Sequence, residues 1–203
     1  MKTFFFILNS LLFVTFDCFS QNGLLDERDK RYYREIISLY PKALVSHFPK
    51  NIDNKTTGAP DLLFPRGKYL SYIHLGLSFD NKKIKRIKEE MGSKAKGVYH
   101  YEDSCLILPY DYKELKIVTS DSIRNLPFAN LLPIPNFKFW EGGITPDFCK
   151  EAVIYLLDAE KGRFLSDDCL SKSGVGLPKE WLHGYTKGFI LYKNYVIYWL
   201  EVW

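Results

Sequence analysis

The segment LPKEWLHGYTKGFILYKNYVIYWLEVW, residues 177–203, decides the fold. Two runs rich in aromatic and β-branched residues, Tyr185–Tyr192 and Tyr195–Trp203, flank Lys193 and Asn194. This pattern is typical of a β-hairpin with a two-residue turn. We expect Asn194 to take the left-handed conformation that such a turn requires.

The second run of the hairpin is apolar on both faces. One face carries Tyr195, Ile197, Trp199 and Trp203, and the other carries Val196, Tyr198, Leu200 and Val202. Glu201 is its only charged residue. A strand with two apolar faces needs cover on both sides, so we expect it near the middle of the sheet. Trp203 is then expected inside the core.

The first twenty residues have the pattern of a secretory signal peptide. Lys2 precedes an apolar run, Phe4–Phe16, and small residues follow at Cys18 and Ser20. The run is shorter and more interrupted than a membrane span. Lipid attachment at Cys18 is disfavoured because Asp17 stands where a small residue is normally required. We therefore predict a cleaved signal peptide at residues 1–20 and a secreted or periplasmic protein.

Residues 21–203 are expected to form a single domain, because this length is enough for one core and too short for two. The chain has 28 Lys and Arg against 24 Asp and Glu, a net charge of +4. So small a balance gives no wide basic surface, and we expect no nucleic-acid partner. After signal cleavage, no remaining segment is long and apolar enough to cross a bilayer.

The rest of the chain alternates between helical and extended patterns. Apolar spacing predicts an amphipathic helix over 24–40 and a strand over 68–79. Asp80 is expected to cap a second helix, which buries Ile84, Ile87 and Met91 and ends at Gly92 in the left-handed conformation.

Further strands are predicted over 99–108, 112–118 and 152–158, a long packed loop over 121–146, and a short helix from Pro178 to Gly184. Together these elements indicate an α+β domain. It has a largely antiparallel sheet of about five to seven strands, two or three helices and a central C-terminal hairpin.

Three cysteines lie outside the signal peptide: Cys105, Cys149 and Cys169. Export places them in an oxidising compartment, where one pair can bridge. A Cys149–Cys169 disulfide is the most local option, and its loop of about 20 residues is worth about 3 kcal/mol on the chain-entropy estimate. The alternative is that all three are small buried apolar residues.

A basic run occupies the amino-terminal half of the second helix. Its cations are Lys82, Lys83, Lys85, Arg86 and Lys88, while Glu89 and Glu90 follow at the carboxyl end. The helix dipole favours the reverse order, at about 0.3–1 kcal/mol per exposed charge. A charge order that opposes stability suggests that a partner uses it, and an acidic protein surface, a phosphate-bearing polymer or anionic lipid would each fit. The simpler alternative is a solvated helix face.

No metal site or cofactor is expected, since the histidines lack the i, i+4 spacing and the cysteines form no C-x-x-C. A catalytic set can be written from Cys149 or Ser173, with His183 as base and Asp158 or Asp168 to orient it. No serine lies in a G-x-S-x-G motif. Chains of this length offer such sets by chance, so an enzyme is the less favoured reading.

Aromatic residues suggest two further contact regions. Trp181, His183 and Tyr185 form either a binding patch or a packed corner at the start of the hairpin. Phe137 and Trp140 lie in the long loop.

The segment GLPKEWLHGY, followed by VIYWLEVW, resembles the carboxy-terminal tails of small bacterial exported proteins. That similarity covers the tail alone and implies neither an activity nor a site.

These observations lead to three functional hypotheses. The first is a secreted or periplasmic, non-enzymatic binding protein of the inhibitor or immunity type, which contacts another protein through the basic helix and the Phe137–Trp140 loop. The alternative is a small envelope hydrolase that uses His183 with a Cys or Ser nucleophile. The third is a structural protein of the envelope.

Overall fold

The computed structural model describes residues 27–52, 71–100, 106–107, 110–111, 116–117, 132–137, 146–172 and 174–203. Five strands form the main sheet: β1 (Ser71–Ser78), β2 (Gly97–His100), β7 (Val153–Lys161), β8 (Gly184–Tyr192) and β9 (Tyr195–Val202). Their order is β1-β9-β8-β7-β2, and every neighbouring pair is antiparallel. The predicted α+β class, with the C-terminal hairpin inside a largely antiparallel sheet, is confirmed.

The other elements are short. The helices are α1 (Glu27–Ser38), α2 (Lys42–Val45), α3 (Asn81–Gly92) and α4 (Pro146–Glu151). β3 (Leu106–Ile107) pairs in parallel with β6 (Pro133–Ile134), and β4 (Tyr110–Asp111) pairs antiparallel with β5 (Lys116–Ile117). The predicted signal peptide and most of the predicted loop over 121–146 lie outside the described residues.

The main sheet is covered on both faces, as the pattern of β9 predicts. One face packs against α1, α2 and α3, which contribute Tyr33, Leu44 and Ile87 to a shared apolar cluster. The opposite face packs against irregular segments and α4, which contribute Phe137, Phe148, Trp181 and other residues to a second cluster. We call these the helix face and the loop face.

Side chains of β9 divide between the two clusters in strict alternation. The helix face receives Val196, Tyr198, Leu200 and Val202, and the loop face receives Ile197, Trp199 and Trp203. Trp203 is fully buried, and its indole Nε1–H donates to the carbonyl oxygen of Trp181 at 2.8 Å. The backbone of Trp203 also exchanges two hydrogen bonds with Gly184. The last residue therefore fixes the start of β8.

Two predictions of a left-handed backbone conformation, at Gly92 and Asn194, are wrong. Gly92 is the last residue of α3, and the cap that follows, Ser93, is right-handed. Gly92 serves close packing instead, because a Cβ there would lie 3.1 Å from the ring of Tyr155. In the hairpin turn Lys193 takes the positive φ, 52°, and the carbonyl oxygen of Asn194 accepts from the N–H of Phe79.

The predicted Cys149–Cys169 disulfide does not fit this fold. Cys169 is a free cysteine beside β1, where the Ser71 hydroxyl donates to its carbonyl oxygen. Cys149 lies in α4, whose Phe148 packs on Tyr192 at the far end of β8. Ser71 is level with Tyr185 across the sheet, because both are opposite Val202. Tyr185 and Tyr192 are seven residues apart on β8, and at about 3.3 Å per residue this separates the two cysteines by about 23 Å. A disulfide requires Cα atoms less than about 7 Å apart.

Candidate functional site

Helix α3 holds the predicted basic run on its solvent side. The Asp80 side chain accepts a hydrogen bond from the N–H of Lys83 at 2.7 Å and so caps the helix. Ile87 is buried, and Ile84 and Met91 pack against the helix-face cluster. Because the apolar stripe faces the sheet, the charged side chains must point away from it.

All the predicted cations of α3 are exposed: Lys82, Lys83, Lys85, Arg86 and Lys88. Two of them form surface pairs, Arg86 with Glu90 at 2.6 Å and Lys85 with Glu89 at 3.9 Å. Exposed pairs of this kind contribute only about 0.3–0.5 kcal/mol each. The first turn contains no acidic residue, so the unfavourable charge order stands in the folded protein.

A cluster of polar side chains surrounds Asp158, at the point where β7 is irregular. The Tyr185 hydroxyl donates to Asp158 Oδ2 at 2.5 Å, and the Lys96 ammonium forms an ion pair with Oδ1. The Lys187 ammonium lies 3.9 Å from Oδ2 and donates to the carbonyl oxygen of Ala43 at 2.8 Å. One carboxylate thus joins β7, β8 and the segment that leads into β2.

Opposing effects set the pKa values in this group. Burial raises the pKa of Asp158, but the hydrogen bonds from Lys96 and Tyr185 outweigh it, and the pKa falls below its usual value. Burial lowers the pKa of Lys187, and the hydrogen bond to Asp158 raises that of Lys96. Burial, followed by the bond to Asp158, raises the pKa of the Tyr185 phenol.

Asp158, Lys96 and Lys187 line a cavity of about 350 Å³ at the carboxyl end of α3. Its polar lining consists of Ser46, His47, Lys94, Lys96, Asp158 and Lys187. His47 Nε2 lies 2.9 Å from the carbonyl oxygen of Trp199, so this nitrogen carries the proton. Burial lowers the pKa of His47 to about 3, and the imidazole is neutral at pH 7. Of the residues that line this cavity, only Asp158 was among the predicted site residues.

The predicted catalytic residues are not brought together. Asp158 is opposite Lys187, whereas His183 lies four residues before it, about 13 Å along the strand. Cys149 lies in α4, near the other end of β8. Ser173, the alternative nucleophile, lies outside the described residues, and its pairing with His183 stays a prediction.

The predicted aromatic contacts are mostly in the core. Phe137 is buried, and its ring makes a T-shaped contact with Trp199, with 5.7 Å between the ring centroids. Trp181 and Tyr185 are also buried, and His183 is half-buried. Trp140 lies outside the described residues. Of the two readings of the Trp181–Tyr185 segment, the packed corner describes its observed position.

A buried polar pair on the loop face was missed by sequence reasoning. His74 Nε2 lies 2.8 Å from Glu201 Oε1, and Glu201 is fully buried. Burial lowers the pKa of His74 well below its usual value. The signal was present in the sequence, since a lone charge in an apolar two-faced strand requires a partner. Its partner belongs to β1, about 130 residues away in the chain.

Comparison of the chain with protein-family models, with curated proteins and with solved structures gave no match. Within the described residues, no three His, Cys, Asp or Glu side chains are grouped so as to hold a metal ion. In the same part of the chain, no helix has the length and apolar character needed to span a membrane.

Proposed function

We propose that this protein is a secreted or periplasmic, non-enzymatic binding protein of the inhibitor or immunity type. It recognises an acidic surface of another protein through the outer face of α3. The supporting observation is that five cations of one helix are exposed, on a helix whose packing and cap are complete without them. The charge order costs stability in the free protein, and an acidic partner would offset that cost.

The neighbouring surface extends the same face. Lys94 and Lys96 continue the run of exposed cations beyond α3, and Val98 on β2 is 52% exposed. A stable interface buries about 800 Å² per partner and combines an apolar centre with a charged rim. Helix α3, about 18 Å long at 1.5 Å per residue, supplies one side of such an area. Val98 supplies an apolar contact next to it.

Charge reversal on α3 tests the proposal. The variant Lys82→Glu, Lys85→Glu, Arg86→Glu places carboxylates at the helix start, where the dipole favours them. We expect unchanged or slightly raised thermal stability and a loss of partner capture from an envelope extract. The native protein should also capture less partner at high salt, because screening weakens exposed charge pairs.

The matched control makes an equal change in net charge at residues outside α3. Arg31, Arg34 and Lys50 are exposed residues outside α3. Their triple replacement by Glu should leave capture of the same partner intact. If the control and the α3 variant lose capture equally, net charge and not this helix determines binding. If neither loses capture, the assignment of the interface to α3 is wrong.

The alternative, an envelope hydrolase that uses His183 with a serine, has one observation in its favour. Gly174, which follows Ser173, packs against Leu182, which precedes His183. His183 Nδ1 is shielded from solvent and has no hydrogen-bond partner in the described part of the chain. His183→Gln should then abolish turnover of ester or peptide substrates while leaving the melting temperature unchanged. A large drop in melting temperature would instead identify His183 as a packing residue.

A further inference from the structure

The cavity beside Asp158 has an excess of positive charge. Three lysines line it, Lys94, Lys96 and Lys187, against one acidic residue, Asp158. His47 is neutral, so the lining carries three positive charges and one negative charge, a net charge of +2. Glu160 acts electrostatically on Lys96 and Lys187 but is not in the lining, and its side chain is exposed to solvent.

Lys187 is the most confined of these cations. Its side chain is 12% exposed, and its ammonium makes one hydrogen bond within the described residues, to the carbonyl oxygen of Ala43. Asp158, at 3.9 Å, is beyond hydrogen-bond distance. An ammonium has three N–H donors, and a confined cation is costly unless its donors are used. Lys187 therefore retains donor capacity at the cavity wall.

The cavity also has an apolar side, formed by Met91 and Leu157. Its volume, about 350 Å³, is at the lower end of the range for small-molecule sites. The lining thus combines two surplus positive charges with a short apolar wall. A phosphate monoester has a matching charge, close to −2 at pH 7, and three acceptor oxygens for lysine ammonium groups.

We propose that this cavity binds a small molecule that carries a phosphate monoester group. The phosphate oxygens accept hydrogen bonds from Lys187, Lys96 and Lys94, and the organic part lies against Met91 and Leu157. In the unliganded protein Asp158 partly neutralises Lys96 and Lys187. Lys94 and Lys96 also border the surface proposed for the protein partner, but phosphate binding in the cavity does not depend on that partner.

Calorimetric titration of the purified protein with phenyl phosphate tests the site, with benzoate and benzyl alcohol as comparison ligands. We expect saturable binding of phenyl phosphate with a dissociation constant of about 1 mM or lower, at least fivefold weaker binding of benzoate, and none of benzyl alcohol. Absence of phenyl phosphate binding at ten times that concentration overturns the proposal. Equal binding of benzoate overturns the assignment to phosphate.

Three variants locate the binding. Lys187→Met should weaken phenyl phosphate at least tenfold, and Lys94→Met, an exposed position that keeps the fold if the first variant does not, should weaken it severalfold. Asp158→Asn should strengthen it by up to about a hundredfold, because one negative charge is removed about 6 Å from a phosphate of charge near −2 at an effective dielectric of about 40. Lys82→Met, about 15 Å away along α3, should bind normally. Wild-type affinity in both Lys187→Met and Lys94→Met, or weaker binding in folded Asp158→Asn, refutes this site.

Discussion

Replacement of Gly188 by alanine should break the contact between β7, β8 and the buried Trp199. A Cβ at this position would lie 2.5 Å from Trp199 Cζ2, and closer still to Cη2 and to the carbonyl oxygen of Tyr155. Carbon atoms normally approach to about 3.5 Å, so the overlap is about 1 Å. Trp199 is fully buried and the carbonyl belongs to the neighbouring strand, so neither group can move freely.

Overpacking of a core costs about 1–3 kcal/mol and occasionally more, and two rigid obstacles place Gly188→Ala at about 3 kcal/mol or above. For a chain of this size each kcal/mol lowers the melting temperature by about 2–4 °C, so we expect a drop of about 6–12 °C. Differential scanning calorimetry measures it directly.

Gly76 provides the matched control. It lies in β1, and a Cβ there would meet nothing within 4 Å. Gly76→Ala should raise stability by about 0.4–1 kcal/mol, because alanine restricts the unfolded chain. A Gly188→Ala protein with the same melting temperature as the wild type would refute the close packing of Trp199 over β8. A Gly76→Ala protein that loses as much stability as Gly188→Ala would show that the effect is not local.

Three further predictions concern the core, pH and the thiol. Trp203→Phe removes the indole donor and leaves the buried carbonyl of Trp181 without its hydrogen bond, so urea denaturation should show a loss of about 1–3 kcal/mol; an unchanged midpoint would contradict that contact. Burial depresses the pKa of His47 from 6.5 to about 3, so the unfolded state binds more protons between these values. Stability is therefore full above pH 6.5 and falls toward pH 3 by up to about 1.4 kcal/mol per unit, and His47→Gln should show a shallower slope in this window. Cys169 should be alkylated by iodoacetamide in the unfolded, unreduced protein and detected by mass spectrometry, whereas protection until reduction would restore the disulfide hypothesis.

The sheet could be predicted because a single local pattern, the alternation of side chains along β9, identifies its decisive strand. Alternation in Tyr195–Trp203 assigns each side chain to a face, and both faces are apolar. The helix stripe of Ile84, Ile87 and Met91 is equally local information. The turn conformations at Gly92 and Lys193 could not be predicted in the same way. They depend on tertiary neighbours, Tyr155 in the first case and Phe79 in the second.

The two candidate sites also differ in how far each can be predicted from the sequence. The basic face of α3 is a run of neighbouring residues, so the sequence shows it directly. The Asp158 group joins Lys96, Tyr185 and Lys187, and its members are about 30–60 residues from Asp158 along the chain. The pairing of β7 with β8 brings Tyr185 and Lys187 to Asp158, and the pairing of β7 with β2 brings Lys96. Sequence reasoning therefore identified Asp158 as a candidate but gave it His183, the wrong neighbour.

A single extra residue in β7 explains why Asp158 faces the cavity at all. Tyr155 packs on the helix face, and Leu156 on the loop face. Strict alternation would place Asp158 beside Leu156 on the loop face, among buried tryptophans. The register instead shifts between Leu156 and Asp158, so that Asp158 is opposite Lys187 and Ala159 returns to the loop face.

The extra residue, Leu157, packs against the helix-face cluster and lines the cavity. Bulges that change the direction of a side chain are common beside functional sites. Here the bulge brings a carboxylate to Lys96 and Lys187 without breaking the apolar pattern of either face. Deletion of Leu157 would restore regular alternation and leave Asp158 opposite Lys187 on the helix face. The deletion would therefore remove the apolar wall that Leu157 gives the cavity while keeping the carboxylate in place.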